Sequence, residues 1–341
     1  MGPHLDRRVG IGCALLACAA LTAWLAFQPG GATLATWVDD VATACAALAA
    51  TLLCARAAVL RRGRERSFWW LLAAATAAWT AAETAWGVYD LALGGVPTVS
   101  WADAGYLAAI PLAAAALLVH PALRGNGAQR ARTLLDGLAI ATALLFLSWT
   151  VVLGPLWRHS DFSRLDGAVT LAYPFGDAVL LFFVVLAIRR MTGAQRASLA
   201  LLLGGLVAMA VGDSAYAYLT GVADYASGGP LDATWVAAYL GIALSAWLAV
   251  PADGSARPAP VAAGAPADAP LAALVAPFVP VLAALVVLGA QAQLGHRPDR
   301  PGLVTALVLV LLVLTRQALL LHDLRRQRAL TREPPLERLT S

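Results

Sequence analysis

The chain has 341 residues, 60% of them hydrophobic and only 13% charged, with a net charge of +4 and a mean hydropathy of +0.72. Soluble domains carry roughly 25% charged residues, so a water-soluble fold is excluded and lipid is the solvent for most of the chain. All 24 basic residues are arginine; they are scattered among loops and not gathered on one face, which argues against a nucleic-acid partner.

A bilayer core needs about 20 apolar residues per helix. Ten such segments follow one another: Val9 to Phe27, Ala35 to Leu60, Phe68 to Leu91, Ala102 to Val119, Leu134 to Leu156, Ala168 to Ile188, Ala197 to Leu219, Asp232 to Val250, Leu271 to Gln291 and Gly302 to Leu321. The expected fold is all-α, a polytopic transmembrane bundle of about ten helices built from repeated helical hairpins. In the first segment Leu15-Leu16-Ala17-Cys18 loosely resembles a lipoprotein cleavage site. Leucine fits that site poorly, and the apolar run continues to Phe27 as a membrane helix does. Pro29-Gly30-Gly31, Gly94-Gly95-Val96-Pro97, Gly228-Gly229-Pro230 and Arg297-Pro298 mark turns between helices. Residues 1–250 give helices one to eight, 251–269 a Pro/Ala-rich cytoplasmic linker, 270–321 helices nine and ten, and 322–341 a short helical stub and tail.

Cytoplasmic loops of membrane proteins retain an excess of arginine and lysine. With the N-terminus inside, 20 arginines fall in cytoplasmic segments, and only Arg158, Arg164, Arg297 and Arg300 fall outside. The expected location is the cell membrane, with both termini in the cytoplasm and the lipid bilayer as the first partner.

Helices two, four, six and eight each begin, at the outer face, with similar chemistry. These starts are Trp37-Val38-Asp39-Asp40, Trp101-Ala102-Asp103 leading to Tyr106, Tyr173-Pro174-Phe175-Gly176-Asp177, and Leu231-Asp232-Ala233-Thr234-Trp235. Helices three and seven add Glu83 with Trp86 and Asp213 with Tyr216, each pair three residues apart and therefore on one helix face. Asp39, Asp103 and Asp232 read as helix N-caps, and Asp136 as a cap at the inner start of helix five. Glu83, Asp177 and Asp213 lie a turn or more inside their spans. There a carboxylate costs about 3 kcal/mol on insertion scales and must face the bundle interior, water or a partner. Glu83, Trp86, Asp103, Tyr106, Tyr173, Asp177, Asp213, Tyr216, Asp232 and Trp235 together predict an acidic, aromatic vestibule on the extracytoplasmic side, suited to a cation, an amine or a polar headgroup.

Other chemistry has no motif here. The five histidines lie in tails or near helix ends, and the four cysteines fall inside apolar runs as small hydrophobes. No nucleophile elbow and no phosphate-binding glycine loop is present, so no cofactor, no metal and no catalytic residue is expected.

The tenth helix continues past the membrane as Arg316-Gln317 through Arg325-Arg326-Gln327-Arg328 until Pro334-Pro335. Leu307, Leu314 and Leu321 repeat every seven residues, which suggests a homodimer seam; arginines snorkelling at anionic lipid account for the same helix end without one. At this point the sequence resembles the N-terminal multi-pass membrane region of actinobacterial diguanylate cyclase and phosphodiesterase (GGDEF/EAL) signalling proteins, over roughly Phe68 to Arg328. Trp101-x-Asp103-x-x-Tyr106-Leu107, Leu135-Asp136-Gly137, Tyr173-Pro174-x-x-Asp177, Gly212-Asp213-x-x-Tyr216, Leu231-Asp232-x-x-Trp235 and Arg316-Gln317 carry the likeness. The chain departs from it in having no Gly-Gly-Asp-Glu-Phe run. The resemblance implies a sensor-like module without catalytic activity, acting through dimerisation or a separate cytoplasmic signalling partner. A proton- or cation-coupled transporter is the alternative, motivated by the intramembrane carboxylates, and a lipid-modifying enzyme the third.

Overall fold

The computed structural model describes residues 3–97, 99–123, 127–150, 164–189, 193–222, 225–250, 279–293 and 299–331. Among these the chain is all-α, with ten α-helices and no strand. They are α1 (Pro3–Phe27), α2 (Ala32–Leu60), α3 (Gly63–Gly87), α4 (Trp101–Val119), α5 (Gly127–Ser148), α6 (Arg164–Arg189), α7 (Gly193–Val222), α8 (Ala233–Ala249), α9 (Val279–Gln293) and α10 (Arg300–Thr331). A π-helical turn, Val88–Ala92, extends α3. Glycines at positive φ close the turns where the sequence is punctuated, among them Gly31, Gly94 and Gly228.

Six helices, α1, α2, α4, α6, α7 and α10, are long and apolar enough to cross a membrane, so the chain is a membrane-type helical bundle. The other four expected spans fall short for identifiable reasons. Thr76, Thr80, Glu83 and Thr84 interrupt the apolar run of α3, which packs between α2 and α4. Helix α8 has 17 residues and packs on α1, α2 and α7. Parts of the fifth and ninth expected segments, as well as the 251–269 linker and the tail after Thr331, lie outside the described residues. Asp136 does not cap α5, which begins nine residues earlier at Gly127.

Packing between neighbours closes a ring. Helix α2 packs on α3, α3 on α4, α4 on α6, α6 on α7, α7 on α8, and α8 on α2 again. Outside the ring α1 lies against α8 and α2, while α5 lies against α6 and carries α9 and α10. Small residues bring the ring helices close, as is usual for membrane helices. A Cβ on Gly105 of α4 would sit 2.9 Å from the Ala78 carbonyl oxygen of α3, and Gly205 of α7 meets Gly241 of α8 backbone to backbone. Polar bonds fasten the same interfaces: Ser198 donates to the Ser245 carbonyl at 2.8 Å, and Thr51 pairs with Thr80 at 3.1 Å.

One end of the ring collects arginine. Arg61 pairs with Glu65 at 3.2 Å, Gln195 donates to Glu65 at 2.7 Å, and Arg64 donates to the Val119 carbonyl at 3.1 Å. His120 is buried there, edge-on to Phe68 at 4.7 Å; burial, then the Arg64 charge, lowers its pKa to about 4. Helix α10 runs unbroken beyond its apolar segment Arg300–Leu319, as the sequence predicts, and Leu307, Leu314 and Leu321 are exposed along it.

Candidate functional site

The opposite end of the ring holds a cavity of about 130 Å³. All six ring helices line it, through the early turns of α2, α4, α6 and α8 and the late turns of α3 and α7. Nine of the ten residues singled out in the sequence are on its wall: Glu83, Trp86, Asp103, Tyr106, Tyr173, Asp177, Asp213, Tyr216 and Trp235. Asp232 is not. It is almost wholly buried beside the cavity, where its carboxylate accepts from the Gly228 and Gly229 amides at 2.8 and 3.0 Å and from the Tyr225 hydroxyl at 2.7 Å. It therefore shapes the α7–α8 loop and makes no helix-cap bond.

That loop is clasped onto α2. Gln28 donates to the Gly228 carbonyl, Thr36 to the Ser227 carbonyl, and the Gly228 amide also reaches Asp39 at 3.3 Å. Gly228 has φ 86°, and a Cβ there would lie 2.8 Å from the Thr36 nitrogen, so both backbone angle and space require glycine. Tyr225 thereby forms part of the cavity rim. Burial, then the Asp232 carboxylate, pushes its hydroxyl well up, which keeps it a donor.

The cap readings divide three ways. Asp103 does complete a capping box: its Oδ2 accepts the Ser100 amide at 2.7 Å, while Ser100 Oγ accepts from the Ala102 amide at 3.2 Å. Its other oxygen accepts from the Tyr173 hydroxyl at 2.5 Å, so the same group ties α4 to α6. Asp39 is not a cap, because α2 starts at Ala32 and Asp39 stands about two turns in, facing the cavity. Asp232 behaves as described above.

Inside the cavity, phenol and indole donors meet carboxylates across helices. Glu83 accepts from Tyr239 at 2.6 Å and from Tyr106 at 2.9 Å, one donor for each oxygen. Asp213 accepts from the Trp235 indole N–H at 2.7 Å. Tyr216 sits edge-on to Trp86, Tyr225 and Trp235, with ring centres 6.0, 4.8 and 6.2 Å away. Such edge-to-face contacts fix ring positions. Three further carboxylates are less well served. Among the described residues Asp39 Oδ1, Asp40 Oδ2 and Asp177 Oδ2 have no hydrogen-bond partner, and their side chains are only 4, 8 and 6% exposed.

Sequence reasoning missed Asp40, Trp79, Tyr225 and Tyr239 as wall residues. Tyr239 was legible, since it follows Trp235 by four residues and so shares its helix face. Tyr225 was not, because nothing local shows that its loop folds back over α2.

Among the described residues the wall holds six carboxyl groups, Asp39, Asp40, Glu83, Asp103, Asp177 and Asp213, and neither arginine nor histidine. Among the described residues no group of three or more His, Cys, Asp or Glu is arranged to hold a metal ion. No protein-family model, no curated protein and no solved structure matches this chain.

Proposed function

We propose that this protein is a membrane sensory module that captures a small organic cation in the acidic, aromatic cavity and relays occupancy to the cytoplasmic extension of α10. The observation that carries the reading is the set of buried carboxylate oxygens that have no partner among the described residues, on a wall to which those residues contribute no basic side chain. Carboxylates in that position need countercharge, either a bound cation or protons. Aromatic rings around them suit an ammonium group, through attraction between a cation and the ring faces. Dispersal of the six acids over five helices, not clustering at one point, favours an organic cation over a metal ion.

The relay follows packing. Tyr173 and Asp177 of the cavity wall are on α6, α6 packs against α5, and α5 carries α10. The arginine asymmetry supports placing the cavity on the extracytoplasmic side and both termini inside. The resemblance to the membrane region of GGDEF/EAL signalling proteins supports a sensory role with output through a dimer or a separate partner and no catalysis by this chain.

The test uses the full chain in lipid nanodiscs, with butylammonium as probe. Tryptophan fluorescence is the readout, because Trp79, Trp86 and Trp235 line the cavity. A saturable change that disappears in Asp213→Asn supports the reading, and its absence at millimolar probe sinks it. Cross-linking through Cys replacing Leu314, in membranes, tests the relay: indifference to every ammonium ligand that binds the cavity removes the sensory half of the proposal.

A second reading, transport, is favoured by the way the ring repeats. Glu83 and Asp213 stand equally far from the starts of α3 and α7 (83 − 63 = 213 − 193 = 20). Each accepts from an aromatic donor on the following helix, Tyr106 or Trp235, that lies three residues after an Asp. Parallel structural repeats of this kind are common in carriers. Uptake of the labelled probe into proteoliposomes distinguishes transport from sensing.

A further inference from the structure

The cavity's partnerless carboxyl oxygens fall into two groups, on helices that stand opposite each other in the ring. In the ring order α2, α3, α4, α6, α7, α8, helices α2 and α6 are three places apart and therefore opposite. The partnerless oxygens on the wall come from these two helices: Asp39 and Asp40 on α2, Asp177 on α6. Each side chain is more than nine-tenths buried.

Neighbouring acids reinforce each pole. Asp213 acts electrostatically on Asp177, and Asp90 and Asp232 act on Asp40. Glu83 also lines the cavity, on α3 between α2 and α4 in the ring. Its two oxygens are already occupied by Tyr106 and Tyr239, so it contributes field to the cavity and is not the group left for a ligand to satisfy. Aromatic rings, among them Trp79, Trp86 and Tyr216, line the cavity as well. Partnerless carboxyls on two opposite helices, with aromatic rings on the wall, suit a short aliphatic chain with an ammonium group at each end.

Volume sets the length. A water needs about 10–15 Å³ of such cavity space, so about 130 Å³ admits on the order of ten water-sized groups. A linear diamine of four or five carbons fits within that, and a drug-sized ligand does not.

We propose that the ligand is a small dication of the linear alkyl diamine class, one ammonium held by Asp39 and Asp40 of α2 and the other by Asp177 of α6. This rests on the reading of the cavity as an organic-cation site and goes further in assigning two-point recognition. Linking two binding groups makes the second contact intramolecular, so a diamine of matching length gains affinity that two separate monoamines do not.

The test compares butylammonium with 1,4-diammoniobutane on the wild-type full chain in nanodiscs, by tryptophan fluorescence and calorimetry, then varies the diamine from three to six carbons. The expected result is a diamine affinity at least about tenfold above the monoamine, an optimum within the series, and one diamine bound per chain. Asp177→Asn and Asp40→Asn should each bring the diamine down to the monoamine level. Equal affinity of monoamine and diamine, or tighter monoamine binding, overturns two-point recognition and leaves the organic-cation site standing. So does diamine affinity that rises steadily with chain length, which marks simple apolar gain. Binding of neither compound removes both proposals. The ligand comparison needs no variant, so a substitution that prevents folding does not weaken it.

Discussion

Tyr239→Phe deletes one oxygen and leaves the ring. The Tyr239 side chain is fully buried, and its hydroxyl donates to Glu83 Oε1 at 2.6 Å. Without it that carboxylate oxygen has no partner, since the Tyr106 hydroxyl is bonded to the other one at 2.9 Å. Two magnitudes compete here. Hydrogen bonds to charged groups contribute about 1.5–3 kcal/mol, whereas interhelical bonds in a membrane protein average about 0.6 kcal/mol. The short distance, the carboxylate acceptor and complete burial place this bond in the first class. A loss of about 2 kcal/mol is expected, roughly a 30-fold change in the unfolding equilibrium. Unfolding in mixed micelles with increasing SDS measures it, on wild type, Tyr239→Phe, Glu83→Gln and the double variant. The double-mutant cycle should give a coupling of at least about 1 kcal/mol. Tyr106→Phe, with the longer bond and a less buried ring, should lose less than Tyr239→Phe. A coupling below about 0.3 kcal/mol would falsify the placement of Tyr239 against Glu83.

Three other outcomes follow from single features. Gly105→Val should destabilise the bundle by roughly 1–3 kcal/mol, because a Cβ there already meets the Ala78 carbonyl oxygen at 2.9 Å and α4 must move off α3; thermal unfolding in detergent reads it, and a neutral result means that the helices are not in close contact. Ser100→Ala should cost about 1 kcal/mol through loss of the capping box, with a further loss in Asp103→Asn, which also weakens the bond from Tyr173. His120 titrates at about 4 in the folded protein, against about 6.5 when unfolded. The unfolded chain therefore binds more protons in that window, and its contribution to stability falls as pH drops from about 6.5 to about 4, by up to about 3 kcal/mol, and is flat above pH 7. Subtracting the pH profile of His120→Asn from that of wild type isolates this component, and two identical profiles would rule it out.

Among the described residues the order of the helices was legible, because apolar runs of helical length alternate with turn residues. The tenth helix was legible past the membrane because its arginines and glutamines carry no helix breaker before Pro334. Asp232 was misplaced for a physical reason: an aspartate just before a helix is read as a cap, yet here its carboxylate is claimed by the Gly228 and Gly229 amides and by Tyr225. Asp39 was misplaced because α2 starts one turn earlier than its apolar run, which moves the residue inward. A shared vestibule was anticipated from the acids' common outer position, but the helix contacts that close it were not. It depends on ring closure between α8 and α2, and no spacing within either helix records that contact.

Ring closure also decides how a ligand would be felt. Asp39 and Asp40 are on α2, which packs against α3, α8 and α1, whereas Asp177 is on α6, the ring helix against which α5 is packed. A monoammonium held at α2 alone leaves α6 where it is. A dication that bridges the cavity draws Asp177 toward α2, and α6 can follow only by shifting against α5, which carries α10. A ligand moves such an equilibrium only to the extent that it binds one arrangement better than the other. Bridging supplies that difference and one-point binding does not. With Cys replacing Leu314 or Leu321 on the exposed face of α10, 1,4-diammoniobutane should change the cross-linking rate in membranes, and saturating butylammonium should leave it unchanged. Equal effects of the two ligands would disconnect the bridge from α10.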